Sequence, residues 1–269
     1  MKLHATLLIV TFTLRSFWSF GAAQSEPPLS EVIAKVRENI RQARNTLPDF
    51  VCTERYTSKG FENGKVKRQK VVTSIFTGLR EQTKQGTPSM KESRVVTAID
   101  GKVVRKGKWP SDLPLNTDGM TANLLTLALD AGDAFDYTSA GIEQTGTSRT
   151  LRIQFANKPE QKTTTVTTNG KQISEKAAGT AWVDLGSMQV VRLDRQFLNL
   201  NEAGTGIKTL SISAHYGKAN IGNSEFWMPQ VVRGEAVLTS ARKTDVHTAD
   251  YLAEYSDCRK FDVSVDLKF

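Results

Sequence analysis

In Tyr251-Leu-Ala-Glu-Tyr-Ser-Asp-Cys258-Arg-Lys-Phe261-Asp-Val-Ser-Val-Asp-Leu-Lys-Phe269, polar and apolar residues alternate, and from Phe261 onward they do so without exception. Phe261, Val263, Val265, Leu267 and Phe269 fall on one side, and Asp262, Ser264, Asp266 and Lys268 on the other. A period of two marks a half-buried β-strand, one face on a core and one in water. If the strand ran unbroken back through Tyr251, Cys258 would face away from the Phe261 row. A kink at Ser256-Asp257 would cancel that inference.

Cys258 has one counterpart in the chain, Cys52. The N-terminus gives the pair its context. Lys2 precedes an apolar run over residues 5–14, and Gly21-Ala22-Ala23 is a small-residue cleavage site, so residues 1–23 read as an export signal cut after Ala23. Arg15 is irregular there, and a retained anchor is the alternative, although the run is too short to span a bilayer. In an oxidising compartment the simplest state of Cys52 and Cys258 is a disulfide, with two free buried thiols as the alternative. The 269 residues are 39% hydrophobic and 24% charged, which suits a globular domain and is too polar for a helical membrane protein. The formal charge is +8 and the isoelectric point about 9.4.

Upstream, Ser30 is a fair N-cap, and Val32, Ile33, Val36, Ile40 and Ala43 make one stripe at helical spacing, ended by Leu47-Pro48. Strands follow over residues 50–58, 65–77, 91–99 and 102–106. They join through Asn63-Gly64 and Asp100-Gly101, two-residue hairpin turns that need positive φ. A loop with Pro110 and Pro114 leads to Met120, Leu124, Leu125, Leu127, Ala128 and Leu129, a short and strongly apolar helix. Strands resume over 149–156, 163–168, 179–195 (strand, turn, strand), 205–216, 225–228, 231–240 and 246–255, with Pro229 marking an edge or a bulge. There is no internal repeat and no domain-splitting linker. The expected fold is mainly β with few helices, built on a single large curved antiparallel sheet.

A search for chemistry returns little. His215 and His247 stand isolated on strand patterns, which excludes zinc-protease spacing. Asp130, Asp133 and Asp136 do not fit a calcium loop. Ser240-Ala-Arg-Lys243 has the S-x-x-K spacing of penicillin-recognising enzymes but sits at a strand end or turn, and no S-D-N follows. Gly60-Phe-Glu-Asn-Gly64-Lys65 is one residue short of a phosphate loop and reads as a hairpin. The basic runs at 65–70 and 102–108 read as solvated strand faces that guard against edge pairing, with a nucleic-acid or anionic-glycan patch as the other reading. The expectation is no catalytic residue, no metal, no cofactor and no nucleic-acid partner.

Gly179-Thr-Ala-Trp182-Val-Asp184, followed by Val190-Val191-Arg192-Leu193, resembles the hairpin of bacterial lipoprotein-carrier-like proteins, the LolA/LolB superfamily. Tyr216, Ile221-Gly222, Phe226-Trp-Met-Pro229 and Leu47-Pro48-Asp49-Phe50-Val51-Cys52 resemble secreted proteins of acidobacterial type. The resemblance implies a half-open β-barrel with helices in its concave face, where an acyl chain is shielded. It transfers no binding residue. The domain plan expected is a signal at 1–23, a helix within 24–48 packed on the sheet, and an antiparallel half-barrel over 49–269 with a second helix near 119–130. The candidate cavity residues are Val36, Ile40, Leu124, Leu125, Leu127 and Leu129. The expected function is a periplasmic or secreted binding protein for a hydrophobic ligand or a lipidated protein, without catalysis. A protein-binding envelope sensor is the second class. An outer-membrane β-barrel is the third, and it is disfavoured by 8% aromatics and by the charges at 65–70.

Overall fold

The computed structural model describes residues 26–82, 88–116, 120, 134–145, 148–161, 164–168, 171–197, 200, 206–238 and 247–261. The export signal, the run Leu124–Leu129 and the alternating segment 262–269 lie outside the described residues. The chain opens with α1 (Leu29–Thr46). Its stripe behaves as the spacing predicts, with Val32, Ile33, Val36 and Ile40 buried, each contributing roughly 1.5–3 kcal/mol of hydrophobic stabilisation. The cap differs from expectation: the helix begins one residue before Ser30, and Pro28 precedes it with no side-chain cap. Proline fixes φ in the helical range and lacks the N–H that a first turn leaves unsatisfied, so it can begin the helix unaided.

Thirteen strands follow among the described residues: β1 (Phe50–Glu62), β2 (Lys65–Gln82), β3 (Pro88–Ile99), β4 (Lys102–Gly107), β5 (Phe135–Thr145), β6 (Ser148–Asn157), β7 (Thr164–Thr168), β8 (Lys171–Glu175), β9 (Ala177–Asp184), β10 (Gln189–Phe197), β11 (Ile207–Ile221), β12 (Ser224–Leu238) and β13 (His247–Lys260). Eleven form one antiparallel sheet in the order β4-β3-β2-β1-β13-β12-β11-β10-β9-β6-β5, and β7-β8 is a separate hairpin. The sheet is open, with β4 and β5 at its two edges. Asn63-Gly64 and Asp100-Gly101 turn as expected, all four residues at positive φ. β5 is an addition: its Asp136 and Gly141 disguised a strand as a loop. Pro229 sits within one long strand, β12, just past a register shift against β11. It lies outside the β13 pairing, which runs over Val231–Leu238. Strand prolines are confined to edges, strand starts and bulges, and this one adjoins a bulge with no β13 partner opposite it.

One face of the sheet carries the core. Phe50, Cys52 and Tyr56 of β1 share it with Phe76, Val96, Ile153, Val183, Leu193, Ala214, Met228, Val232, Ala253 and the stripe of α1. The helix touches strands far apart in the sheet. Arg80 of β2 donates to Asn45 O at 2.5 Å, whereas Arg37 lies over the Tyr137 ring of β5 at 5.8 Å. β2 and β5 stand eight steps apart, about 38 Å along a flat sheet at strand spacing. The whole helix is about 27 Å long. The sheet therefore curls around α1, and the face that α1 occupies is the concave one.

Candidate functional site

β1 and β13 form the seam at the middle of the sheet, and the covalent clasp lies on it. Cys52 and Cys258 are joined as a disulfide, with Cα atoms 4.1 Å apart. Cys52 is inward with Phe50 and Tyr56, and on β13 the inward row is Ala249, Tyr251, Ala253 and Tyr255. Simple alternation would turn Cys258 outward. The register shows how it arrives: Val51 pairs with Arg259 and Thr53 with Ser256, so Asp257 and Cys258 together oppose Cys52. This is a β-bulge, with Asp257 at φ +51°. The kink at Ser256-Asp257 is real, and it brings the sulfur to the inner face.

Beside the clasp, the inner face holds a buried charge pair. Glu54 is fully buried and accepts from Arg94 Nε (2.7 Å) and Nη2 (3.0 Å) and from Ser74 Oγ (2.7 Å). The Arg94 guanidinium lies over the rings of Phe76, at 5.2 Å, and Trp109, at 4.8 Å. Burial opposes its charge, but the hydrogen bonds and charge of Glu54 outweigh burial and hold it above its ordinary pKa. Burial first, and the Glu54 charge second, push the Tyr255 phenol well above its usual range. Sequence reasoning missed this pair. The available signal was phase: Glu54 shares the row of Phe50, Cys52 and Tyr56.

The chain after β4 is fastened to the same face. Tyr56 stacks on Tyr251 at 5.4 Å and meets Trp109 edge-on at 5.2 Å. Its hydroxyl donates to Leu115 O at 2.8 Å, while Ser58 Oγ accepts from Leu115 N at 2.9 Å. Met120 is fully buried in the core. On the far side, Lys158 N donates to Ala134 O at 2.9 Å, just before β5. After the β4 edge the chain lies on the inner face at Leu115 and Met120, and Ala134 stands beside the opposite edge.

Of the six cavity candidates, the structure places two. Val36 is packed in the core, and Ile40 lines a hollow of about 200 Å³ between α1 and the starts of β10 and β12, with Asn39, Val190, Tyr216 and Phe226. Asn39 closes one side by donating to Met188 O at 2.8 Å. That volume is below the roughly 300–1,000 Å³ of small-molecule sites. Leu124, Leu125, Leu127 and Leu129 fall outside the described residues. A second apolar cluster, Phe197, Leu200, Leu210 and Ala236, lies toward the other end of the strands, with Leu115 and Leu238 against it and no residue of α1. Among the described residues no group of three or more His, Cys, Asp or Glu is placed to hold a metal ion, and no helix is long and apolar enough to cross a membrane. The basic run of β2 is partly neutralised at the surface, where Lys70 meets Asp112 at 2.5 Å and Lys67 meets Glu62 at 3.3 Å.

No family model and no curated protein matches the chain. Several solved structures are similar to it in overall course. A DUF1329 family protein from Desulfovibrio piger is 13% identical at a TM-score of 0.42, with 90% of this chain and 96% of that one covered. A LolA superfamily protein from Nitrosomonas europaea is 12% identical at 0.36, covering 89% and 96%. An outer membrane lipoprotein-sorting protein domain from Vibrio parahaemolyticus is 10% identical at 0.42, covering 87% and 95%. At these scores the likenesses carry no argument about ligand or partner.

Proposed function

We propose that this chain is an exported binding protein that holds a hydrophobic or acylated ligand against the concave face of its half-barrel, with residues 1–23 removed on export. The observation that carries the reading is the extent of the apolar inner face. On β12 alone the inward buried residues run from Phe226 to Ala236, about 33 Å of strand. A single helix is about 10–12 Å across, and α1 lies over one end of that run. The second cluster is apolar beyond its reach, and the strongly apolar sequence 120–129 enters the chain between Met120 and Ala134, both packed on the core. An apolar surface of this length is covered by more chain or by ligand. The binding role needs no chemical step.

The test is uptake of a fluorescent fatty-acid analogue by the folded protein. Saturable binding is expected, and Leu125→Trp and Leu127→Trp should weaken it with little loss of stability. An inner face filled by protein alone would bind nothing saturably. It would lose about 1–3 kcal/mol on the same overpacking, and that outcome defeats the proposal.

A further inference from the structure

The Gly179–Leu193 hairpin points its polar side chains at the other, convex face, where the carrier reading assigns no role. Gly179 is required there by close approach: a Cβ would lie 1.9 Å from Asp194 O. The Arg192 guanidinium lies over the Trp182 ring at 4.4 Å and is fixed on Asp194 by two bonds, Nε to Oδ1 at 3.0 Å and Nη2 to Oδ2 at 2.5 Å. Ser213 Oγ donates to the same Asp194 Oδ1 at 2.7 Å. Arg192 is thus locked by ring, carboxylate and hydroxyl into one orientation. Across the ladder His215 pairs with Arg192, and one row along Arg233 pairs with Ser213. These residues line a hollow of about 700 Å³ together with Thr180, Gln196 and Glu235, within the range of small-molecule sites.

The charges in this hollow are unevenly committed. Asp194 is engaged by Arg192 and Ser213, and Glu235 stands one position further along β12, opposite Ser211. Arg192 and His215 pair across the ladder, and Arg233 stands diagonal to His215, in the row of Asp194 and Ser213. From these positions we infer that the convex face carries a second binding site, independent of the carrier reading, for a ligand bearing a phosphate or carboxylate group held by Arg192, His215 and Arg233. Asp194 occupies the Nε/Nη2 edge of Arg192, so the outer Nη1 edge, the Arg233 guanidinium and the His215 imidazole are the groups that would meet an oxyanion. The imidazole supports this: burial first and the charge of Arg192 second lower its pKa, Asp194 opposes them, and Arg233 adds a smaller lowering effect. A bound anion would relieve the crowding of positive charge.

The probe is the His215 ring proton followed by NMR at constant ionic strength. It is titrated with inorganic phosphate, with acetate and with a water-soluble short-chain phosphatidylglycerol. A saturable shift is expected with at least one of them, about tenfold weaker in Arg233→Gln, the loss of one charge-assisted contact. Arg233 is exposed, so Arg233→Gln should keep the parent melting temperature. Saturation by phosphate or acetate alone assigns a free anion; tighter saturation by the phospholipid assigns a lipid headgroup. A shift that only follows total salt, or one unchanged by Arg233→Gln, overturns the site. Acyl-chain uptake on the concave face is measured separately and is unaffected by either result.

Discussion

Glu54 sits where a carboxylate is ordinarily excluded, fully buried on the inward row of β1. It is tolerated because Arg94 and Ser74 occupy its oxygens and because the guanidinium lies over two aromatic rings. Burying a charge without such partners is far more costly than the pair is stabilising. Arg94→Met should therefore cost about 3–5 kcal/mol by leaving the carboxylate unpaired. The double replacement Glu54→Leu with Arg94→Met should recover most of that loss in urea unfolding. Near-additive losses would show that the two residues act separately. The hairpin residues were legible because Asn-Gly and Asp-Gly adopt positive φ at low cost. The ion pair was not, because an isolated Glu in an alternating stretch looks the same whichever face it takes until its phase is counted against neighbours.

At the scale of elements, β13 shows what alternation can and cannot announce. The inward row through Tyr251 and Tyr255 is plain in the sequence, whereas the bulge that turns Cys258 inward rests on one residue at positive φ. Aspartate is among the few L-residues that visit this region, and a β-branched side chain is strongly disfavoured there. Asp257→Val should lower stability by about 1–2 kcal/mol, whereas Asp257→Gly should leave it within about 0.5 kcal/mol, both read from thermal unfolding. The disulfide closes a sequence separation of 206 residues. Chain entropy puts its contribution at about 5 kcal/mol as an upper figure, so Cys258→Ser should cost several kcal/mol. Alkylation of the exported, unreduced protein should label neither cysteine, and labelling of both would remove the clasp from the native state. α1 was readable from its stripe, but β5 was hidden because Asp136 and Gly141 are turn-forming types within a paired strand.

At the scale of the molecule, the antiparallel sense of most neighbours follows from hairpin chemistry, which joins strands consecutive in sequence. The order of the sheet does not. Nothing local in Phe50–Glu62 or His247–Lys260 states that they pair with each other, and that pairing determines which strands are left as edges. The large curved antiparallel sheet was legible in the succession of strands, whereas its concave face was expected only from the resemblance of the Gly179–Leu193 stretch to the carrier family. Its lining could not be assigned residue by residue, because curvature decides which inward side chains meet across the hollow. The crossover from β4 to β5 exists for the same topological reason. Consecutive strands lie at opposite edges, and the connecting chain passes the inner face at Leu115, where Tyr56 and Ser58 hold it.

The seam between β1 and β13 also sets the order in which the protein can be built. The strands β4 to β1 form one meander and β13 to β5 another, and each can zip by local hairpin closure. The two become a single sheet only when β13, made after the other strands of this sheet, pairs with β1, made before them. If the chain is exported from its N-terminus as proposed, the β1–β13 seam stays unfinished until Cys258 has emerged beside Cys52. Oxidation then records completion, sealing a long-range contact whose loop-closure entropy makes it the slowest to find.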